Sequence, residues 1–328
     1  MPLRNVRIAP GFNKADTPSG AEGQWIDGDF VRFRYGQPEK IGGYTAIGQE
    51  TISGPTRAQH TWTDLEGNRY AALGTSKGLY IYYEDKFYDI TPLATALTSA
   101  TFTSTNGSNT VTVNKTSHAL DVGEYITFTS VTLPGGGATG FTVANFQDFT
   151  YEVLTVPNAN SFTIQMKTNE SGSGMTAAGS ASINPYEEIG PTIQTYGYGW
   201  GTSTWGRGTW GSATTSSSVI LDPGSWSLDN FGEQLIATIK DGKTFVWNPG
   251  VSNPLEQRAV IMSGAPTATR LTITSDRDRH VVHFGTETTI GDSTTQDPMF
   301  IRFSDQENFS TYQPTSVNTA GTFRLDTG

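Results

Sequence analysis

The chain has 328 residues, a formal net charge of −10, 35% hydrophobic residues and no cysteine. Disulfides and cysteine-based metal sites or nucleophiles are therefore excluded, and the acidic balance disfavours general DNA binding, which needs lysine and arginine at the phosphates. The 11% of aromatic residues and the 37 glycines favour strands and turns over helices, because aromatic and β-branched side chains fit a pleated surface. The expected fold class is all-β.

Prolines and small polar residues fill residues 1–22, which predicts an extended N-terminal arm. Residues 23–44, GQWIDGDFVRFRYGQPEKIGGY, predict a β-hairpin, because side chains from Phe30 to Tyr35 alternate with a period of two. We expect Gly36-Gln37-Pro38 to end its first strand, since proline has no N–H for the ladder. An ordinary hairpin is the plain interpretation.

Short strands and tight turns then recur along the chain in three groups. Asp-Gly at 241–242, between two apolar runs, is a strong hairpin signal. Because each small sheet has two apolar faces that must stack on neighbours, repeated meanders predict the blades of a partial or complete β-propeller; a plain β-sandwich is the alternative. The predicted strands are Arg69–Gly74, Leu79–Tyr83 and Phe87–Ile90, then Gly232–Ile239 and Lys243–Trp247, then Asp278–Gly285, Met299–Phe303 and Phe309–Tyr312.

An interruption at residues 98–184 predicts an inserted β-sandwich or barrel-like module. Its expected strands are Thr110–Val113, Gly123–Phe128, Tyr151–Val156 and Ser161–Met166, and the small residues at 171–182 predict a return linker. The predicted domains are thus residues 1–22 (arm), 23–97 (first propeller part), 98–184 (inserted module) and 185–328 (second propeller part, expected to continue beyond this chain). The best helical candidate is the short run Leu93–Leu97.

Three tryptophans, Trp200, Trp205 and Trp210, alternate with glycines in the segment YGYGWGTSTWGRGTWG at residues 196–211. Such rings could stack on sugars or bases, or they could be wedged between blades or subunits, where large apolar rings are normally covered. We take these three residues, with Arg32 and Arg34 of the first hairpin, as interface candidates.

Patterns for catalysis, cofactors or metals are weak. Asp326-Thr327-Gly328 spells an aspartic-protease loop, but that chemistry needs two such aspartates. His280 and His283 are three residues apart, so on one strand they would point to opposite faces and could not share a metal. The acidic pairs Glu187-Glu188 and Asp27/Asp29 could serve a glycosidase only across a cleft. We therefore predict no catalytic, cofactor-binding or metal-binding residue, and no enzyme.

Two segments resemble the tail nozzle, or tail-stabilisation, proteins of short-tailed bacteriophages. The second is SDQENFSTYQP at residues 304–314, similar to a turn in the propeller of that family. Asn109–Phe128 followed by Tyr151–Ile164 is also similar to a small β module often inserted in phage virion proteins. The first of the two segments is the predicted hairpin at residues 23–44. The residues that carry its resemblance are Asp27, Gly28, Asp29, Phe30, Val31, Arg32, Phe33, Gly36, Pro38, Lys40, Gly42 and Gly43.

The resemblance implies a structural virion protein of the phage tail, assembled in the host cytoplasm. It implies a homo-hexameric ring below the portal and adaptor, with DNA passing through its lumen unbound and tail fibres as further partners. An acidic channel surface would let DNA pass without binding to it. The alternative is that the acidic composition serves only solubility. No run approaches the ~20 apolar residues of a membrane span. A carbohydrate-binding receptor-recognition tail component is the alternative, and a glycan-cleaving enzyme is a third possibility.

Overall fold

The computed structural model describes residues 8–43, 45, 51–192 and 222–325. The chain forms two compact units, Met1–Gln49 and Glu50–Gly328. In the part of the chain that the structure describes, none of the helices could span a bilayer.

The N-terminal unit contains four short strands. β1 (Ala9–Phe12) pairs in parallel with β2 (Gln24–Trp25), and β3 (Val31–Arg34) pairs antiparallel with β4 (Gln37–Lys40). The turn of the predicted hairpin is Tyr35-Gly36, with positive φ angles of 52° and 77°, the geometry of a tight hairpin turn. The first strand ends before Gly36, as expected, but Gln37 and Pro38 already belong to β4, where Pro38 lies opposite Phe33.

The larger unit begins with sheet 1, a four-stranded antiparallel meander. Its strands are β5 (Thr56–Thr63), β6 (Arg69–Thr75), β7 (Leu79–Tyr83) and β8 (Lys86–Asp89), in sequential order.

A seven-stranded antiparallel sheet follows, which we call the inserted sheet. Its elements are β9 (Leu97–Ser104), β10 (Thr110–Asn114), β11 (Tyr125–Thr132), α1 (Val143–Gln147), β12 (Tyr151–Glu152), β13 (Thr155–Asn158), β14 (Ser161–Gln165) and β15 (Ala178–Pro185). The strand order is β12-β11-β15-β9-β10-β14-β13.

The inserted sheet curls on itself because β12 and β13 are consecutive in the chain but occupy opposite edges. The bend between them bonds to both sides: Val153 N donates to Glu124 O at 2.8 Å, and Leu154 N donates to Thr163 O at 2.9 Å. The single helix α1 fills the interior, where Phe146 contacts Phe102 at 4.4 Å between ring centroids. Residues 151–158 thus bridge the two edges of a half-barrel.

Two further four-stranded meanders complete the unit. Sheet 2 contains β16 (Trp226–Phe231), β17 (Gln234–Ile239), β18 (Thr244–Trp247) and β19 (Val260–Ile261). Sheet 3 contains β20 (Leu271–Thr274), β21 (Val281–Phe284), β22 (Phe300–Phe303) and β23 (Gly321–Arg324).

Sheet 2 lies between the other two meanders, and both of its faces are buried. Leu235 and Ala237 belong to the apolar cluster shared with sheet 1, whereas Ile236 belongs to a cluster with Val281 of sheet 3. Because alternate residues of a strand face opposite sides, β17 reads as a nearly continuous apolar run, QLIATI. The meanders therefore form a three-layered stack.

The all-β prediction is confirmed for the described residues, and three local assignments are corrected. Leu93–Leu97 is not helical, and Leu97 begins β9. The predicted linker at 171–182 overlaps β15, which pairs with both β9 and β11. Phe309–Tyr312 is not a strand, and the fourth strand of sheet 3 is β23.

Candidate assembly surface

Sheets 1 and 2 interlock through tryptophans. Trp226 lies directly over Gly74, where a Cβ atom would come within 2.6 Å of its ring, and its Nε1 donates to Thr75 O at 3.0 Å. Trp62 Nε1 donates to Glu233 O at 2.8 Å. Each ring is buried and its N–H is satisfied, which is how tryptophan is normally accommodated in a core. This interface fixes the two sheets face to face.

The first strands of the three sheets are joined by polar contacts centred on β16. Asp229 Oδ2 accepts from Thr274 N of β20 at 2.6 Å, and Ser227 Oγ donates to Thr272 O at 2.7 Å. On the other side, the ring of His60 in β5 bonds Asn230 Oδ1 at 2.8 Å. Because Asp229, Ser227 and Asn230 are each bonded to a neighbouring sheet, these contacts fix the sheet-to-sheet register rather than forming an open reactive site.

The outer face of sheet 3, which points away from sheet 2, carries two apolar rows. These are Leu271–Phe284–Ile301–Phe323 and Ile273–Val282–Phe303–Gly321 in cross-strand register. Phe323 is 59% exposed, Leu271 47% and Ile273 43%. In the second row the Phe303 ring covers Gly321, where a Cβ atom would lie 2.3 Å from it.

A face of this kind is unusual for a surface, because exposed apolar residues normally occur singly. Within the same unit, both faces of sheet 2 are covered by a neighbouring meander. The outer face of sheet 3 is therefore the candidate assembly surface of the larger unit.

The inserted sheet is anchored to the stack by a cluster around Tyr186. Its hydroxyl donates to Asp89 Oδ2, and the Arg258 guanidinium bonds both groups, at 3.0 Å to the Tyr186 oxygen and 3.2 Å to Asp89. Arg258 also donates to Thr91 O at 2.9 Å. Burial, followed by the Asp89 charge, raises the pKa of Tyr186. A tyrosine held protonated in this way serves as a structural donor.

A second contact with the inserted sheet lies beside a shallow cavity of about 370 Å³. Lys77 Nζ bonds Glu152 Oε1 at 3.2 Å and lies 5.1 Å from the centre of the Tyr125 ring. Because the pair is partly exposed, its contribution to stability is small, but it orients the inserted sheet on sheet 1.

The predicted interface residues Trp200, Trp205 and Trp210 lie outside the described residues. The described ends of their segment, however, lie side by side. Gly224 N donates to Pro191 O at 2.8 Å, and the Arg57 guanidinium donates to the carbonyl oxygens of Thr192 and Gly224. The described ends that flank residues 193–221 are therefore neighbours in the larger unit.

We expect residues 193–221 to be replaceable by a linker of about six Gly/Ser residues without loss of folding, because the ends already meet and a shorter loop costs less entropy to close. The free energy of unfolding should change by less than about 1 kcal/mol, measured by chemical denaturation. Triple alanine replacement of the three tryptophans is the matched variant that keeps the segment's length. A chain that no longer folds after linker replacement would show that the segment contributes to the core.

Arg32 and Arg34, the other predicted interface residues, lie on one face of β3 in the N-terminal unit. Arg32 Nε is 3.2 Å from Glu39 Oε2 on the neighbouring strand, and the Arg34 guanidinium is 5.4 Å from the centre of the Tyr35 ring. Tyr35 is 93% exposed at the turn. On the opposite face, Phe33 packs against Phe12 at 5.3 Å. The arginine face is open to solvent.

The SDQEN segment has a structural role that its sequence did not reveal. Asp305 Oδ1 accepts from Thr319 N at 2.8 Å and from Thr319 Oγ1 at 2.7 Å, tying the β22–β23 connection back on itself. These bonds lower the pKa of Asp305. Tyr312 is buried and its hydroxyl contacts Met262 Sδ at 3.2 Å. The segment thus holds the two ends of the connection between β22 and β23 together.

The residues considered for chemistry are separated in the structure. His283 Nδ1 bonds Thr272 Oγ1, whereas His280 Nδ1 bonds Ser304 O. Glu187 pairs with Lys243 at 2.5 Å, and Asp27 pairs with Lys14 at 2.5 Å. Across residues 8–43, 45, 51–192 and 222–325 there is no group of three or more histidine or acidic residues that could hold a metal ion.

Comparison with protein-family models and with curated proteins finds no match for this chain. Among solved structures it is similar to the phage phi92 endosialidase, with 13% sequence identity over 84% of this chain and 39% of that chain, at a TM-score of 0.24. This chain thus spans less than half the length of that protein. At this TM-score the likeness carries no argument about fold or activity.

Proposed function

We propose that this chain is a structural component of a short-tailed phage tail, similar to a tail nozzle, whose stacked meanders are blades of a β-propeller. The observation that carries this proposal is the uncovered outer face of sheet 3, with Phe323 59% exposed. Sheets 1 and 2 bury their facing apolar surfaces against each other. A stack of sheets whose last sheet still exposes an apolar face is therefore consistent with one part of a larger ring, in which a further sheet would cover that face.

The two segments that resemble nozzle proteins support the same proposal. In the larger unit, SDQEN closes the β22–β23 connection through Asp305. In the N-terminal unit, the other segment forms the hairpin that presents Arg32 and Arg34. Following the resemblance, we propose a hexameric ring in the virion, below the portal and adaptor, that DNA crosses during ejection.

A structural protein that lines a DNA channel needs no catalytic site, and its surface should not bind the DNA that passes through the channel. The net charge of −10 repels phosphates and disfavours non-specific DNA binding. The ion pairs and buried polar contacts of the larger unit join sheets to one another, as at Asp229 and Tyr186. We therefore assign this chain a role in assembly rather than catalysis.

The test is the size and symmetry of the purified protein, measured by light scattering and negative-stain imaging. We expect rings for the native chain and loss of rings when Phe323→Lys and Leu271→Lys are combined, because charges in an apolar sheet contact are not tolerated. Val317→Lys is the matched control, since Val317 is an exposed apolar residue, 92% exposed, that lies outside the strands.

A monomer at every protein concentration would contradict the proposal. A monomer or trimer that binds glycan arrays would favour the receptor-recognition alternative instead. Hydrolysis of those glycans would identify an enzyme. Equal assembly of the double variant and the native chain would exclude the outer face of sheet 3 as the contact surface.

A further inference from the structure

Sheet 1, at the other end of the stack, also has an outer face that points away from sheet 2. The residues that alternate with this face, among them Tyr70 and Ile81, belong to the apolar cluster shared with sheet 2. The outer face itself belongs to none of the apolar clusters formed by the described residues. Its two cross-strand rows are Thr61–Ala71–Tyr82–Phe87 and Gln59–Leu73–Tyr80–Asp89.

The first of these rows carries an aromatic pair. The rings of Tyr82 and Phe87 lie 5.2 Å apart between centroids, and both residues are partly buried. The Tyr82 hydroxyl donates to Asp85 Oδ1 in the β7–β8 turn at 2.6 Å. In the second row, the Tyr80 hydroxyl accepts from Ser53 N at 3.4 Å. A partner that covers this face would therefore leave neither tyrosine hydroxyl unpaired.

The three meanders are related by a repeated step. Each has its four strands in sequential order, and their first strands lie side by side: His60 of β5 bonds Asn230 of β16 at 2.8 Å, and Asp229 of β16 accepts from Thr274 N of β20 at 2.6 Å. One face of sheet 2 meets sheet 1, and its opposite face meets sheet 3. One more step of the same kind places the outer face of another sheet 1 on the outer face of sheet 3.

The rows of the two outer faces bring no unpaired charge into such a contact. Both rows of sheet 3 are apolar throughout. The one charged residue in the rows of sheet 1, Asp89, is already bonded to Tyr186 and Arg258. Burying the two faces together is therefore favourable, because apolar surface leaves water without the desolvation of a free charge. A contact between two sheet 3 faces would instead close a dimer and leave both sheet 1 faces uncovered.

From this continuity we propose that the outer face of sheet 3 in one copy binds the outer face of sheet 1 in a second copy, head to tail. The inference rests on the proposed function, to which it adds the partner surface. A head-to-tail contact uses two different surfaces of the chain, so it continues from copy to copy until a ring closes.

Mixing two blocked variants of the full chain tests this pairing. One variant combines Leu271→Lys with Phe323→Lys, and the other combines Tyr82→Lys with Phe87→Lys. Each should be monomeric alone, because a lysine charge is not tolerated in an apolar contact. Their equimolar mixture should form dimers with one chain of each kind, since each variant keeps one intact face, and light scattering should show twice the monomer mass. Leu65→Lys, at a 92% exposed residue between β5 and β6, is the matched control and should assemble like the native chain.

Three outcomes separate this inference from the proposed function. Native-like rings from the sheet 1 variant, with monomers from the sheet 3 variant, would overturn the head-to-tail pairing and leave the proposed function standing. A mixture that stays monomeric while the native chain forms rings would also overturn the pairing. A native chain that is monomeric at every concentration would contradict the proposed function itself, and the pairing with it.

Cross-linking gives a second measurement that places no charge on either face. The chain contains no cysteine, so Phe323→Cys and Tyr82→Cys each introduce a single thiol. When the two chains are co-expressed and treated with a short bismaleimide, the expected product joins one chain of each kind, identified by mass spectrometry. Cross-linked dimers from Phe323→Cys alone would show that two sheet 3 faces meet, and would overturn the head-to-tail pairing.

Discussion

Replacing Glu170 by alanine is expected to lower the free energy of unfolding of the inserted sheet by about 3 kcal/mol or more, because buried donors lose their acceptor. Glu170 is 1% exposed. Its Oε1 accepts from Gly140 N at 2.5 Å and Gly172 N at 2.9 Å, and its Oε2 accepts from the hydroxyls of Ser104 and Thr139 at 2.7 and 2.8 Å.

The carboxylate, which lies in the β14–β15 connection, thus bonds within that connection, to the end of β9 and to the β11–α1 connection. Burial acts to raise the pKa of Glu170, but the bonds from Gly140, Ser104, Gly172 and Thr139 outweigh it and lower the pKa. The ionised form is therefore the one that the fold stabilises. Two backbone N–H groups would be left unpaired by the alanine variant, at roughly 1–3 kcal/mol each.

Two matched variants separate this role from a general effect of charge. Glu170→Gln should cost less, because the rotatable hydroxyls of Ser104 and Thr139 can turn to accept from an amide NH₂ whereas the backbone N–H groups keep an oxygen. Glu152→Ala removes only the partly exposed pair with Lys77 and should cost under about 1 kcal/mol. Hydrogen exchange in β9 and β10 would measure all three, and equal costs for Glu170→Ala and Glu152→Ala would contradict the assigned role.

The sequence predicts best those strands whose side chains alternate and whose turns contain glycine or Asp-Gly. Leu79–Tyr83 matches β7 at both ends, and the turn at 240–242 joins β17 to β18. These strands lie inside their sheets, so pattern and packing agree. The first strand of sheet 2, β16, was not predicted: WSLDNF has Asp229 and Asn230 bonding neighbouring sheets, and such contacts leave no period in the sequence.

Other features depend on contacts that no local pattern records. β15, AGSASINP, reads as a linker because its residues are small, yet small residues such as Ala181 fit the tight interior of the half-barrel. The predicted strand Tyr151–Val156 divides at the bend because its two halves pair with opposite edges of the sheet. Likewise, Glu170 lies in a glycine- and serine-rich stretch, where a lone acid is ordinarily at the surface.

For the candidate surface, the sequence allowed the apolar rows of sheet 3 to be found only in part. Met299–Phe303 was predicted as a strand, but β20 and β23, which carry the exposed Leu271, Ile273 and Phe323, were not. An apolar row across four strands is a property of register, and register between distant segments is set by tertiary packing. The same limit applies to His283. Its position next to two valines in VVHF indicates that it is buried, but only the strand pairing shows that Arg302 is its neighbour.

The stability of the larger unit is expected to fall in mild acid because of His283. Its pKa is about 3 in the folded chain and about 6.5 in an unfolded one. Above pH 6.5 neither state binds the proton, so His283 has no effect there. Between pH 6.5 and 3 only the unfolded state binds it, and the free energy of unfolding should fall by up to about 1.4 kcal/mol per pH unit. Below pH 3 both states are protonated and the loss levels off.

His283→Asn isolates this contribution, because an amide can accept from Thr272 through its oxygen but cannot ionise. Carboxylates titrate in both proteins, so their effects cancel when the variant is compared with the native chain. At pH 4.5 the acid-induced loss should be smaller in the variant by about 2–3 kcal/mol, measured by urea denaturation from pH 7 to pH 4. Parallel pH profiles for the two proteins would contradict this prediction, because they would mean that His283 takes up its proton without destabilising sheet 3. The His283 ring would then not be enclosed, although its 0% exposure indicates that it is.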